Sequence, residues 1–380
     1  MVKQIGARVT GLALAAILFA TGPARADTQA VADDIRTQYE PLRVLRVVEG
    51  LEHPWGVALL PQGYLVTERS GRLNLVTDGE IRRIAGSPEV YAFRQGGLLD
   101  VVLHPDHASN GWVYLTYSYG DADGTATALG RGRLEGTQLV DFEQIFVQDR
   151  LSEPGRHYGS RLAWLSDGTL LMSIGDRGSK PSRAQDLGDH AGKVIRLNED
   201  GTVPEDNPFV GRDEALPEIW SYGHRNIQGM VVAEGDVVWV TEHGPRGGDE
   251  LNRIEPGKNY GWPVVSKARE YRTEEQYGEA RSRPGYLDPV YEFLPTLAPS
   301  GLALVTREQF PRWRGNLLAG GLAAERIRRV VLEDEVVVHE EELLLGLVGR
   351  IRDVREGADG SIYVLTDEEN GGLYRVESAR

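Results

Sequence analysis

The sequence contains no cysteine, and this absence excludes several kinds of chemistry at once. Disulfide bonds, zinc-thiolate centres and cysteine nucleophiles all require the missing thiol. Basic residues are also few, since 42 lysines and arginines face 57 aspartates and glutamates, for a formal net charge of -15. Nucleic acids and anionic membrane surfaces attract basic proteins, so neither is expected to be the main partner. Stability must come from burial of a core or from bound metal.

Long apolar runs are missing as well, apart from one short stretch near the N-terminus. Residues 11–20 are apolar, and an Ala-Arg-Ala sequence at residues 24–26 precedes a polar region. Such a run is too short to span a bilayer, and the small-x-small pattern is typical of a cleavage site. We therefore expect residues 1–26 to be a cleaved secretory signal peptide and the mature protein to be periplasmic. A retained membrane anchor is the alternative.

Helical periodicity is scarce, whereas short alternating runs bounded by Gly, Pro, Asn or Asp are frequent. This pattern predicts many short strands. Six segments share one order of features: an apolar strand, a turn containing Pro, Asp or Gly, and a second strand rich in Val, Tyr and Leu. These segments begin at Trp55, Leu98, Arg161, Gln228, Gly301 and Ile351.

Six repeats of this kind favour a ring of small antiparallel sheets, each covered on both faces by its neighbours. We therefore predict an all-β fold, a six-bladed β-propeller of four-stranded antiparallel sheets. It forms a single domain over residues 42–380, with residues 27–41 as an N-terminal lead-in. The strand at residues 42–48 is expected to complete the last blade and close the ring. One or two β-sandwiches are the alternative, but sandwich strands would not repeat this paired unit six times.

Polar, glycine-rich loops between the strands are candidate functional sites, because a scaffold alone does not need them. His157 precedes the third repeat, where a neutral imidazole could accept a proton from a substrate hydroxyl. Arg225 and Asn226 open the fourth repeat and offer hydrogen-bond donors to a carboxylate or a quinone-like oxygen. Structural interpretations remain open, since the histidine could bond a neighbouring loop and the arginine could tie two blades together.

Two further loops carry charges that need a partner. In the glycine-rich loop at residues 242–252, Asp249 and Glu250 supply hard oxygens compatible with calcium, although simple solvation of this acidic pair is the alternative. Arg350 and Arg352 lie two apart on a predicted strand and therefore point the same way. An anionic ligand in the central channel would offset their repulsion. Pairing with protein carboxylates is the alternative.

Taken in order, these loops resemble the soluble pyrroloquinoline quinone-dependent sugar dehydrogenases, the aldose and glucose/sorbosone dehydrogenase family. The resemblance covers nearly the whole mature chain. Its motifs are RQGGLL at 94–99, HYGSRL at 157–162, IGDRG at 174–178, YGHRN at 222–226, EHGP at 242–245 and NYGWP at 259–263. It implies a six-bladed propeller enzyme that oxidises the anomeric hydroxyl of an aldose to the lactone. Hydride would pass to pyrroloquinoline quinone with the help of calcium.

The resemblance also implies a role for individual residues. His157 resembles the general base that removes the proton from the anomeric hydroxyl. Arg225 and Asn226 resemble the pair that binds the quinone oxygens, with Arg225 stabilising negative charge as the quinone is reduced. Gln95 resembles a glutamine that lies near the base and the quinone.

The implied cofactor site extends to two arginines and a metal loop. Arg350 and Arg352 resemble the arginines that face the carboxylates of the cofactor. Calcium contacts are implied at four positions: the backbone carbonyls of Gly244 and Pro245 beneath the cofactor, and Glu250 with the carbonyl of Tyr260 at a second, structural site.

Several positions depart from the family pattern. Ala323 stands where some members place a lysine against the quinone, with Arg326 as a candidate substitute. Arg156 precedes the base where some members carry an acid, and Phe293 stands where a tryptophan often lines the sugar pocket. The natural sugar therefore does not follow from the resemblance.

The expected partners are a small-molecule aldose and an external electron acceptor, without nucleic acid or stable membrane insertion. A monomer or a homodimer is compatible with the sequence. Two other functions remain open: a calcium-dependent propeller lactonase or hydrolase, and a non-catalytic binding propeller. A lactone carries no carboxylates to satisfy Arg350 and Arg352, whereas Ala323 and Phe293 motivate the binding hypothesis.

Overall fold

The computed structural model describes Met1 and residues 28–380, so residues 2–26 of the predicted signal peptide lie outside the described part of the chain. Two strands precede the first repeat, β1 (Gln29–Ile35) and β2 (Leu42–Leu51). Blade 1 is formed by β3 (Pro54–Leu60), β4 (Gly63–Glu68), β5 (Arg72–Thr77) and β6 (Glu80–Ile84). Blade 2 is formed by β7 (Leu98–Leu103), β8 (Trp112–Gly120), β9 (Thr125–Glu135) and β10 (Gln138–Val147). Blade 3 is formed by β11 (Leu162–Trp164), β12 (Leu170–Ile174), β13 (Lys193–Leu197) and β14 (Ile219–Tyr222).

The second half of the chain continues this arrangement. Blade 4 is formed by β15 (Ile227–Ala233), β16 (Val237–Glu242), β17 (Glu250–Ile254) and β18 (Tyr291–Glu292). Blade 5 is formed by β19 (Pro299–Leu304), β20 (Leu317–Gly321), β21 (Ile327–Glu333) and β22 (Val336–Leu343). Blade 6 contains β23 (Ile351–Glu356), β24 (Ile362–Thr366) and β25 (Gly371–Ser378). Helical structure in the described residues is limited to α1 (His107–Asn110) and three short 3₁₀ segments, Pro181–Gln185, Glu234–Asp236 and Pro311–Trp313.

Every sheet is antiparallel, and the six-bladed β-propeller predicted from the repeats is confirmed. The six repeats supply the inner two strands of the six blades, from β3 and β4 to β23 and β24. Tight turns follow from local sequence: between β5 and β6, Asp78 and Gly79 both adopt positive φ, at 52° and 75°. An Asp-Gly pair in this conformation matches the twist of a two-residue hairpin.

The ring closes through the two ends of the chain. β2 pairs antiparallel with β25 from Leu42 opposite Ser378 to Leu51 opposite Gly371, so the predicted closing strand is present. The region 27–41, expected only to lead into the propeller, contains β1, which pairs with β2 and gives blade 6 a fifth strand. This extra strand covers the edge that β2 would otherwise expose.

Apolar side chains fill each interface between neighbouring blades. One buried cluster lies between each successive pair, because each blade presents apolar side chains to both of its neighbours. The cluster between blades 6 and 1, for example, packs Leu51 and Leu373 against Val57 and Val66. Burial of this kind supplies the main stabilisation in a chain without disulfides.

Buried charges join the inner strands at the centre of the ring. Arg161 contacts Asp353 at 2.9 Å and Asp100 at 3.2 Å, and Arg355 contacts the same two carboxylates at 3.0 and 2.9 Å. Arg161 also donates through Nε to the carbonyl of Gln228 at 2.8 Å. Two cations and two anions thus link blades 2, 3, 4 and 6.

Among the described residues, no helix is long and apolar enough to cross a membrane.

Candidate active site

A cavity of about 310 Å³ opens at one end of the central channel. Its walls come mainly from the inner strands and the loops that lead into them, and from the loops that join the second and third strands of the blades, with Tyr271 added from the β17–β18 connection. Six of the ten predicted site residues line it: Gln95, His157, Arg225, Asn226, Arg350 and Arg352. The other lining side chains with polar groups are Trp55, Arg69, Tyr158, Gln228, His243, Tyr271 and Asp367.

The imidazole of His157 is oriented by a buried carboxylate. Nδ1 of His157 lies 2.6 Å from Oδ1 of Asp176, and the backbone N–H of His157 donates to Oε1 of Gln95 at 2.7 Å. Asp176 is itself fixed, because Oδ2 accepts from Nε1 of Trp262 at 2.7 Å and Oδ1 accepts from the Gly178 N–H at 2.8 Å. A carboxylate at Nδ1 assigns the proton to that nitrogen and leaves the lone pair of Nε2 available as a base.

Electrostatics keep this pair in the ionisation states that a base requires. Burial lowers the pKa of His157, and the positive charge of Arg225 lowers it further, although the hydrogen bond to Asp176 acts in the opposite direction. Burial alone would raise the pKa of Asp176, but the contacts with His157 and Arg225 outweigh it and the pKa is lowered. At neutral pH the pair is therefore a neutral imidazole beside an ionised carboxylate.

Arg225 and Asn226 are held by the loop that enters β15. The Arg225 N–H donates to Oε2 of Glu242 at 2.8 Å, and Nη1 donates to the carbonyl of His243 at 3.2 Å. The guanidinium lies 5.4 Å from the ring centre of Trp262. Oδ1 of Asn226 accepts from the Gly159 N–H at 3.1 Å, which leaves its amide nitrogen as the donor for a ligand.

Three arginines converge on one carboxylate at the border of blades 6 and 1. Nη2 of Arg352 lies 2.6 Å from Oδ2 of Asp367, Nη2 of Arg350 lies 3.6 Å from the same oxygen, and Nη2 of Arg69 lies 3.5 Å from Oδ1. The alternative, pairing with a protein carboxylate, is therefore present at Asp367. A protein carboxylate does pair with them, but one carboxylate among three guanidinium groups leaves this wall of the cavity positive.

A second, much smaller cavity of about 10 Å³ adjoins the first and is lined by Gly244, Glu250 and Tyr260. Its volume is close to that of a single water-sized sphere. Glu250 lies directly opposite Glu242 in the pairing of β17 with β16. Burial, followed by the charge of Glu242, raises the pKa of Glu250 to about 8. Two carboxylates in direct opposition repel each other unless a cation or a proton lies between them.

Two other residues of this loop, Asp249 and Pro245, do not line the small cavity. Asp249, considered as a hard ligand on sequence grounds, is instead saturated by the loop: it accepts from the N–H groups of Gly244, Leu297 and Ala298 and from the hydroxyl of Thr296. Pro245 is buried next to Gly244 but does not line the small cavity. No group of three or more His, Cys, Asp or Glu side chains within residues 28–380 is arranged to hold a metal.

The glucose/sorbosone dehydrogenase family model matches residues 51–375, which is most of the chain. The aldose sugar dehydrogenase YliI of Escherichia coli is 40% identical over 337 residues, covering 86% of this chain and 90% of the relative. The chain belongs to the glucose/sorbosone dehydrogenase family. The match spans every blade, and includes each loop of the cavity described above.

Solved structures of similar proteins agree with this family assignment. A crystal structure of a glucose dehydrogenase superposes with a TM-score of 0.85 at 42% identity, covering 87% of this chain and 98% of that one. The pyrroloquinoline quinone-bound aldose sugar dehydrogenase of Streptomyces coelicolor gives a TM-score of 0.74 at 28% identity, covering 90% and 100% of the two chains.

Two expectations about how this family member departs from the common pattern are wrong. Phe293 does not line the cavity: it is fully buried between blades 4 and 5 and packs edge-on against Tyr291 at 5.4 Å. Arg326 does not replace the missing lysine, because it donates to the carbonyl of Ala324 at 2.7 Å and to Glu342 at 2.5 Å. Ala323 does line the cavity.

Among the residues that were not predicted, five in or beside the cavity carry a carboxylate, a guanidinium or an imidazole: Arg69, Asp176, Glu242, His243 and Asp367. Three of them could have been found from the sequence, since Asp176, Glu242 and His243 lie inside the motifs IGDRG and EHGP. Arg69 and Asp367 could not, because they lie in loops of blades 1 and 6 that only ring closure brings together.

Proposed function

We propose that this chain is a periplasmic quinoprotein, with residues 42–380 as its catalytic domain, that oxidises the anomeric hydroxyl of aldose sugars to the lactone. Pyrroloquinoline quinone would be its hydride acceptor and calcium its metal. The observation that carries the proposal is the His157–Asp176 pair in a cavity that also contains Arg69, Arg225 and Arg352. A base and a cationic wall in one cavity suit a sugar together with an anionic cofactor.

The residues present fit pyrroloquinoline quinone, a flat tricarboxylate that supplies, when bound, the two-electron acceptor for sugar oxidation. Nε of Arg69 and Nε of Arg352 are buried without a hydrogen-bond partner among the described protein atoms. Buried donors of this kind are normally satisfied, so they support a bound anion. Arg350 and Arg352 would hold cofactor carboxylates, and Arg225 and Asn226 would hold the quinone oxygens, with Gln95 nearby.

The second cavity fits a divalent cation. The opposed carboxylates of Glu242 and Glu250 supply negative charge, and the carbonyls of Gly244 and Tyr260 would complete an oxygen-rich shell. A Cβ at Gly244 would lie 1.9 Å from the carbonyl oxygen of Gly247, so the loop folds too tightly there for any other residue. Pro245, buried next to Gly244, would contribute its carbonyl to a calcium ion that would supply Lewis acidity in the cofactor site.

His157 performs the proton transfer in this proposal. Its Nε2 accepts the proton of the anomeric hydroxyl, and Asp176 stabilises the imidazolium that results. The Gln95 side chain fixes the backbone of His157, and Trp262 fixes the far oxygen of Asp176. The base therefore meets the sugar hydroxyl without reorientation, which lowers the entropic cost of the reaction.

Turnover of a sugar panel tests the proposal. The purified protein is incubated with pyrroloquinoline quinone and calcium, and reduction of an artificial dye is followed with several aldoses. We expect aldose-dependent dye reduction that requires the quinone, and near-complete loss in His157→Ala with quinone binding retained.

The same preparation distinguishes the two other functions. Hydrolysis of sugar lactones in the absence of quinone would favour the lactonase. Quinone binding without turnover of any aldose would favour the binding propeller. Either result contradicts the proposed oxidation.

A further inference from the structure

We propose that Arg69 is a cofactor-binding residue of this chain, and that it holds a carboxylate of the quinone from the blade 1 side of the cavity. This inference rests on the proposed function, since it concerns the cofactor of that same site. The arginines predicted from the sequence, Arg225, Arg350 and Arg352, lie in or before blades 4 and 6. Arg69 comes from blade 1.

The backbone of Arg69 is fixed before any ligand binds. Arg69 lies in the loop between β4 and β5; its N–H donates to the carbonyl of His53 at 3.2 Å, and its carbonyl accepts from the Leu98 N–H at 3.3 Å. Nη1 of the guanidinium donates to the carbonyl of Arg94 at 2.8 Å. One edge of the side chain is therefore anchored, and the Nε edge remains for another partner.

Polar atoms without partners occur in and beside this corner of the cavity. Buried Nε of Arg69, Nε of Arg352, Nδ1 of His53 and Oδ1 of Asp367 make no hydrogen bond within the described part of the chain. Oδ1 of Asp367 lies 3.5 Å from Arg69 and 3.4 Å from His53, but neither contact has hydrogen-bond geometry. Because more than about nine in ten buried polar atoms are normally bonded, the two unpartnered guanidinium donors, Nε of Arg69 and Nε of Arg352, indicate a site for an acceptor group.

The charge of the corner identifies that group as an anion. The ion pairs of Arg69, Arg350 and Arg352 all go to the single carboxylate of Asp367. Three guanidinium groups and one carboxylate leave a net positive charge, and a guanidinium edge is the donor arrangement that carboxylates bind best. Ala323 lines the same cavity and adds no charge of its own. A carboxylate of the quinone therefore satisfies both the unpartnered donors and the uncompensated charge.

Equilibrium binding tests the assignment without reference to activity. The apo-protein with calcium is titrated with pyrroloquinoline quinone, and quenching of tryptophan fluorescence reports binding, since Trp55 lines the cavity. Arg69→Gln removes the charge and the guanidinium donor edge, and we expect Kd to rise about 10- to 100-fold, the range for hydrogen bonds to charged groups.

Arg94→Gln is the matched control. It removes the same charge from a neighbouring residue that does not line the cavity, and the Arg94 carbonyl that anchors Arg69 is retained. We expect its Kd to stay within about twofold of the wild-type value, because an exposed charge outside the site is screened by salt. Arg69→Lys keeps the charge but loses the planar donor edge, and its Kd should lie between those of the other two variants.

A change in the ligand tests the same contact from the other side. The trimethyl ester of the quinone has no carboxylate charge, so Arg69→Gln should not weaken its binding further. In the Arg69→Gln background, Ala323→Lys places an ammonium group in the same cavity and should recover part of the lost affinity for the free acid.

The outcomes separate this inference from the proposed function. If the wild-type protein does not bind the quinone, the proposed function and the inference both fail. If it binds and Arg69→Gln matches Arg94→Gln, or if Arg69→Gln weakens the ester as strongly as the free acid, the assignment of Arg69 is wrong while the function stands. Circular dichroism of each variant shows whether the fold is retained, and Arg69→Lys still tests the donor edge if Arg69→Gln does not fold.

Discussion

His157 shows how much of the site depends on contacts around a single side chain. Its φ of 50° is a conformation that non-glycine residues rarely adopt, and it is held by the hydrogen bonds to Gln95 and Asp176. Strain of this kind persists where the surrounding structure fixes the residue for a task. The task that the geometry supports is presentation of Nε2 to a substrate hydroxyl.

The pH dependence of turnover follows from the neutral state of His157. A base must be unprotonated, and the pKa of His157 is lowered by burial, so kcat/KM should stay constant from neutral pH down to below 6.5 and then fall. Asp176→Asn removes a contact that raises the pKa of His157. We expect the acid limb of the profile to move to still lower pH, and kcat to fall about 10²- to 10⁴-fold because the imidazole loses its orientation.

Asp186→Asn is the control for this variant, because Asp186 is an exposed acid in the same β12–β13 connection and does not line the cavity. Its kcat and its profile should match the wild type. A kcat for Asp176→Asn within a few fold of the wild-type value would mean that Asp176 does not position the base.

At the level of single residues, the sequence predicted residues that line the cavity better than the contacts around them. His157, Arg225 and Asn226 stand in compact motifs, and all three line the cavity. Phe293 illustrates the limit: it is fully buried whereas its neighbour Leu294 is 61% exposed, and the sequence alone does not show which of the two is buried. Packing of β18 against blade 5 decides it.

Among pairs of adjacent strands, β16 and β17 are the most informative about the proposed metal site. Their register places Glu242 opposite Glu250, and Nδ2 of Asn252 donates to both carboxylates at 3.1 and 3.3 Å. One amide does not neutralise two carboxylates. Without a cation, the opposed carboxylates therefore destabilise the pairing of β16 with β17. A divalent cation bound between them would instead stabilise the folded protein.

Removal of calcium tests this feature by its effect on stability. With free calcium at 100 times its Kd, binding should add about 2.7 kcal/mol to the free energy of unfolding. Glu250→Gln should lose most of this gain. In a chelator it should be at least as stable as the wild type, because Glu250 must otherwise either repel Glu242 or take up a proton. Thermal unfolding with calcium and with chelator measures both effects.

Glu308→Gln serves as the control, since Glu308 is 78% exposed in a surface pair with Arg314. The calcium-dependent shift in its melting temperature should equal that of the wild type. Equal shifts in Glu250→Gln and in the wild type would remove Glu250 from the calcium site.

On the scale of the whole molecule, the ring is held together by apolar clusters between blades and by charges at its centre. Arg161 is 1% exposed and links two carboxylates from different blades. Removing one member of such a buried network leaves an uncompensated charge in a medium that solvates it poorly.

Arg161→Met should therefore lower the free energy of unfolding by about 3–5 kcal/mol, measured by denaturant or thermal unfolding. Arg314→Met removes an arginine that is 63% exposed and paired with Glu308, and its effect should stay below about 1 kcal/mol. Similar losses in the two variants would show that the central charges do not stabilise the ring.

The overall ring could be predicted because each blade carries its own signal, a pair of apolar strands joined by a short polar turn. Contacts that depend on closure could not. Arg69 and Asp367 meet only because β2 completes blade 6, and no local pattern in the sequence brings the two loops together. The added strand β1 went unpredicted for a similar reason, since its pairing depends on the exposed edge of β2.

An anaerobic titration shows whether an aldose reduces the bound quinone in a single turnover. The protein is loaded with pyrroloquinoline quinone and calcium, freed of excess cofactor and mixed with an aldose in the absence of any electron acceptor, while absorbance reports the redox state of the bound quinone. The proposed sugar oxidation predicts complete reduction with one equivalent of lactone formed per bound quinone, and no reduction in His157→Ala. A loaded protein whose quinone stays oxidised with every aldose would contradict it.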